Sequence, residues 1–147
     1  MPTQSRYRAD TNEMVRVDSN TPSALQLRTR VTVAQINAGL TLLPAVPGFA
    51  YRLIDVSLIA IGGAVTGATD VRILGTRAAG SVALLVAAVA ALTQSALLRA
   101  GAANAVILAD GASFTPLDAN TAVTIGKTGG SAATATHVDV ALTYALE

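Results

Sequence analysis

The chain has no cysteine and no tryptophan, a single histidine and an aromatic fraction of only 3%. The missing cysteines exclude disulfides, thiolate nucleophiles and cysteine-based metal sites by arithmetic. So few rings leave little on which a ligand would stack. Charge is scarce as well, at 13% of residues, where soluble proteins carry about 25%. The net charge of +1 gives almost no long-range field to gather phosphates or an anionic bilayer, so neither nucleic acid nor membrane is expected as a partner. Long apolar runs are absent too. The greasiest stretch, Val82 to Leu92, is broken by Thr93, Gln94 and Ser95, whereas a spanning helix needs about 20 apolar residues. Met1 to Arg16 is polar, carrying Arg6, Arg8, Asp10 and Glu13, without the apolar core of a signal peptide, so secretion by that route is not expected.

What the chain does have is apolar mass in small units. Its hydrophobic fraction is 52%, built from Ala, Val, Leu and Ile, which suit close-packed layers. At 147 residues it fits one domain, burying roughly 70% of the surface of the unfolded chain. Charge is unevenly spread. Residues 1–30 hold Arg6, Arg8, Arg16, Arg28, Arg30, Asp10, Glu13 and Asp18, and the rest of the chain is nearly neutral. The first 24 residues also lack apolar periodicity. Two regions follow: an extended N-terminal arm over 1–24 and a packed domain over 25–147.

From Leu25 the apolar period is two. Leu25, Leu27, Thr29, Val31 and Val33 alternate with Gln26, Arg28, Arg30 and Thr32, the signature of a half-buried strand. A short strand is expected over Leu40 to Leu43, before Pro44 and the Pro47-Gly48 turn. Phe49 to Ile61 reads as a second strong strand, with Ile54, Val56, Leu58 and Ala60 on one face and Asp55 and Ser57 on the other. Gly62-Gly63 ends it. Asp70 to Leu74, stopping at Gly75, reads as its return strand. Residues 81–100 fit a helix by alanine content and a strand by valine content and context; a strand with a turn near Thr93 to Ser95 is the reading adopted. Further strands are expected over Ala105 to Ala109, up to Asp110-Gly111, and over Ala122 to Lys127, up to Gly129-Gly130. In the last, Val138, Val140, Leu142, Tyr144 and Leu146 alternate with polar or small residues. Seven or eight short strands and at most one helix give an all-β fold, a jelly-roll-like β-sandwich, with a barrel as the structural alternative.

Chemistry-bearing constellations are sparse. His137 and Asp139 share a strand face, but a zinc site needs three or four protein ligands, and a solvated strand face is the expected setting; no metal or cofactor is expected. Ile125-Gly126-Lys127-Thr128-Gly129-Gly130 echoes the end of a phosphate loop, yet Thr121 stands where the first glycine belongs and no helix follows, so a hairpin turn is expected. No serine sits in a nucleophile elbow. Asp55, Asp70, Asp110, Asp118 and Asp139 are scattered singly, which gives paired-carboxylate hydrolysis no support. No catalytic residue is assigned and the chain is not expected to be an enzyme. The arm is more suggestive: Arg6, Tyr7 and Arg8, then Val15, Arg16 and Val17, mix charge, one ring and small apolar groups as a partner-binding segment would.

From Leu25 onward, the Ala/Val/Thr/Gly-rich strands resemble small structural proteins of tailed bacteriophages. Within them stand Thr121-Ala122-Val123-Thr124-Ile125-Gly126-Lys127-Thr128-Gly129 and Ala135-Thr136-His137-Val138-Asp139-Val140-Ala141-Leu142-Thr143-Tyr144. Capsid decoration, or cement, proteins are the nearest likeness. The resemblance implies a jelly-roll-like domain on the capsid exterior of a virion, made in the host cytoplasm. It would be a homo-dimer or homo-trimer clamping neighbouring subunits of the major capsid protein, with no cofactor and with terminal arms in contact. A receptor-binding or fibre-associated adhesion module is the alternative function.

Overall fold

A computed structural model describes residues 3–8, 13–18, 24–101, 105–106 and 115–147, with side chains at 24–101 and 115–147. The chain is all-β. Its strands are β1 (Thr3–Arg8), β2 (Glu13–Asp18), β3 (Leu25–Thr32), β4 (Leu40–Leu43), β5 (Tyr51–Ile61), β6 (Val65–Arg77), β7 (Gly80–Ala88), β8 (Leu97–Arg99), β9 (Ala105–Val106), β10 (Val123–Thr134) and β11 (His137–Leu146). Among the described residues, one short helix, α1 (Val33–Ala38), and a 3₁₀ turn at Val89–Ala91 interrupt them.

Two antiparallel sheets make the body. One runs β3-β11-β5-β8 and the other β4-β10-β6-β7-β9. Their apolar faces share one core, in which Val31, Val56 and Leu58 meet Val71, Ile73, Leu85 and Ile125, all 0–1% exposed. Each such aliphatic side chain contributes roughly 1.5–3 kcal/mol by leaving water. Within the expected arm, β1 and β2 pair antiparallel, Thr3 opposite Asp18 and Arg8 opposite Glu13. The remaining arm residues before Ala24, and the strand end expected at Ala109 to Gly111, lie outside the described residues.

Several expectations need correction. Val33 does not continue β3: Thr32 accepts from the Gln35 N–H at 3.2 Å while the Gln35 side chain accepts from the Thr32 N–H at 2.9 Å, a capping box that opens α1. Such a box satisfies two otherwise unpaired donors, so a Thr-x-x-Gln pattern outcompetes one more strand residue. Ile54 does not join the inward set. β5 slips register between its partners of Thr143 and Tyr144, and the extra residue, Ile54, is turned out to 42% exposure. β6 is no return strand for β5. It pairs with β10 and β7, and the chain changes sheets at Gly62, whose φ of +76° suits a corner. Nor does β6 stop at Gly75, because that glycine is a packing position: a Cβ there would lie 2.5 Å from Leu117 Cδ1.

Residues 81–88 are strand, as read, and the chain turns before β8. The hairpin from β6 to β7 rests on two alanines, Ala78 and Ala79, at φ +51° and +59°. The Asp118 carboxylate accepts both of their N–H groups, at 3.1 and 2.9 Å, offsetting a backbone conformation that alanine disfavours. Gly129-Gly130 is also no hairpin turn. β10 runs through it with a bulge against β6, Gly129 taking φ +74°, and the turn falls later, at Ala135 and Thr136.

Candidate interaction surface

The groups that suggested chemistry are each engaged separately. His137 opens β11 opposite Thr32 on one side and Ile61 on the other. Its side chain is only 11% exposed, which corrects the expected solvated setting; the central strand of a sheet leaves it little water. Nε2 lies 3.5 Å from Asp139 Oδ1 and makes no hydrogen bond. Asp139 is held instead by Arg30, whose Nε donates at 3.2 Å. Asp55 receives Arg99 at 2.9 Å, Asp118 serves the alanine turn, and Asp110 lies outside the described residues.

Asp70 is the one buried carboxylate among the described residues, 7% exposed and gripped by Arg72 through Nε and the terminal nitrogen at 2.8 and 3.0 Å. That grip, with help from Thr128, holds its carboxyl below the usual range against the opposing effect of burial. Lys127 is not poised for a phosphate: its Nζ donates to the Gly129 carbonyl at 3.0 Å, and a strand surrounds it. Among the described residues, no three of His, Asp and Glu gather where they would hold a metal ion.

What the fold does assemble is a surface. On the outer face of β3-β11-β5-β8, register sets Arg28, Ala141, Ser57 and Arg99 in one row across the strands, and Arg30, Asp139, Ile59 and Leu97 in the next. Small side chains in the middle of the first row, flanked by arginines, leave a trough. Its volume is about 690 Å³, and a smaller hollow of about 160 Å³ continues it past Gln26, Asp55 and Thr143. Leu97, on the far wall, is 58% exposed.

Arginine 30 and arginine 99 each have an aspartate; no ion pair engages Arg28 among the described residues. The two bridges are solvent-exposed, worth about 0–1 kcal/mol apiece, so they shape the trough more than they stabilise it. A face mixing an exposed leucine, arginines and small residues has the makings of a protein contact.

Of the partner-binding residues read from the arm, β1 carries Arg6, Tyr7 and Arg8 and β2 carries Val15, Arg16 and Val17. Register sets Arg6 opposite Val15 and Gln4 opposite Val17; their side chains are outside the described set. The trough was missed because its rows come from four strands far apart in sequence. The polar positions of β3 were visible as alternation, but nothing local announces that Ser57 and Ala141 would lie beside them. No family model, curated protein or solved structure matches the chain.

Proposed function

We propose that this is a structural protein of a tailed-phage virion, a decoration protein that binds the capsid exterior and bridges subunits of the major capsid protein. The open outer face of β3-β11-β5-β8, with its trough, free Arg28 and exposed Leu97, carries this reading. It offers a surface suited to protein contact, and on this reading the role is holding. The fold supports it: setting the β1-β2 pair and β9 aside, the order β3-β11-β5-β8 against β4-β10-β6-β7 is first-eighth-third-sixth against second-seventh-fourth-fifth. A jelly roll orders its strands in this way, which supports the jelly-roll part of the reading, and that architecture is frequent in viral shells. The resemblance of the sequence to decoration proteins points the same way.

On this reading the protein is a homo-dimer or homo-trimer, the arm over 1–24 is a second contact through Arg6, Tyr7, Arg8, Val15, Arg16 and Val17, and repeated weak contacts on a symmetric lattice add up through effective concentration. Purified protein mixed with expanded, undecorated shells of the major capsid protein from the same genome should co-sediment at a fixed stoichiometry that saturates. Failure to co-sediment ends the proposal, and binding to intact host cells instead would replace it with adhesion.

A further inference from the structure

Backbone direction in the four-stranded sheet can be followed strand by strand. The Ala100 N–H donates to the Val56 carbonyl at 2.8 Å, so on β5 the even-numbered residues turn their backbone groups toward β8 and the odd-numbered ones toward β11. Ser57, Ile59 and Ile61 therefore bond across to Ala141, Asp139 and His137, their register partners. The alternate residues of β11, Val138, Val140 and Leu142, must then bond to β3, at Val31, Thr29 and Leu27. That leaves the N–H and C=O of Gln26, Arg28 and Arg30 directed away from the sheet. The Thr32 N–H, of the same parity, is taken by Gln35 Oε1, which agrees with this direction and closes that end of the edge.

β3 is the outermost strand of its sheet and pairs with β11 without a break over eight residues, whereas the opposite edge, β8, has only three. No strand among the described residues pairs with that edge, and an unpaired edge of that length is a template for another strand. The side chains beside it specify which strand. Arg28, in no ion pair among the described residues, and Arg30, bonded to Asp139 but with its side chain 68% exposed, stand on the outer face, while Leu25, at 39% exposure, and the half-buried Leu27 lie on the apolar face.

A second copy of β3 pairs poorly over the length of the strand, since the two-fold registers that avoid facing arginines, about Gln26 or Leu27, overlap at most five of its eight residues. Antiparallel pairing about Arg28, Thr29 or Arg30, which keeps outer faces continuous, brings at least one arginine opposite another, and like charges directly opposite are destabilising. A strand with carboxylates on its outer face and aliphatic side chains on the other meets both requirements.

We propose that the free edge of β3 is a strand-addition site for an extended segment of a partner protein that alternates acidic with aliphatic residues, its carboxylates facing Arg28 and Arg30. The site rests on the reading of this chain as a binding protein, but its test needs no capsid and so fails or succeeds separately from the shell experiment.

The probe is a blocked peptide of about eight residues alternating glutamate with valine, titrated into the full chain and followed by amide NMR and hydrogen exchange. Binding below about 1 mM should slow exchange at Gln26, Arg28 and Arg30. A lysine-valine peptide should bind about tenfold more weakly, the size expected from two cross-strand charge pairs. The double variant Arg28→Glu with Arg30→Glu should invert that preference. Gln26→Pro removes one outward N–H without touching the bonds to β11 or either arginine, a change edge strands tolerate; it should keep the wild-type melting temperature and weaken the glutamate-valine peptide several-fold. No binding at about 1 mM, an unchanged preference in the charge-swapped variant, or binding with no protection at those three amides would each overturn the proposal.

Discussion

Asp70 is a buried carboxyl bonded to Arg72, and its environment makes stability depend on acidity. Hydrogen bonds from Arg72 and then Thr128 lower its pKa against the effect of burial. A carboxyl whose folded value lies below its unfolded one stabilises the fold above about pH 4, and that contribution disappears as pH falls through the folded value. Urea denaturation at stepped pH should show an acid limb that Asp70→Asn flattens, with a loss of about 1–3 kcal/mol near neutrality because Arg72 keeps its desolvation without its partner. An unflattened limb would place the acid sensitivity elsewhere. The alanine turn makes a second residue-scale test. Ala79→Gly should raise stability by about 1 kcal/mol, since glycine accepts φ +59° freely, while Asp118→Ala should lower it by about 1–2 kcal/mol as two exposed N–H groups exchange a carboxylate acceptor for water. Chemical denaturation midpoints of both variants decide the point.

Elements were legible where apolar alternation was long and uninterrupted. β3 and β11 could be read almost residue by residue, because burial on one face imposes a period of two on the sequence. The reading failed where a single extra residue or a glycine altered the count. Ile54 looks like one more inward residue until the bulge in β5 expels it. Gly75 and Gly129 look like strand ends, yet one makes room for Leu117 and the other sits in a bulge inside β10. Ala78-Ala79 looks like nothing at all, since its support comes from Asp118, about forty residues away. The box that opens α1 was within reach of a sequence reading, and it predicts that Thr32→Ala costs about 1 kcal/mol. Circular dichroism melts of that variant should shift downward without loss of the sheet signal.

At the scale of the whole molecule, function depends on what the sheets leave uncovered. The core consumes the alternating apolar sets, and the outer face of β3-β11-β5-β8 emerges from strands that begin at residues 25, 51, 97 and 137. No linear motif could encode that surface, which is why the trough escaped the sequence, whereas the arm was proposed from local composition alone. The two make separable predictions. Deleting Met1 to Asn20 should leave the two-sheet body folded and weaken attachment to shells several-fold; unfolding of the truncated chain would make β1 and β2 part of the body instead. Leu97→Asp, on the trough wall at 58% exposure, should leave melting unchanged and impair attachment.

The central claim is that this protein reinforces an assembled shell by bridging its subunits. Differential scanning calorimetry of expanded capsids, with and without saturating protein, tests it most directly. The account predicts that the shell-dissociation transition moves to higher temperature in step with occupancy, and that the shift shrinks with Leu97→Asp. A transition that stays where it was at full occupancy would contradict it.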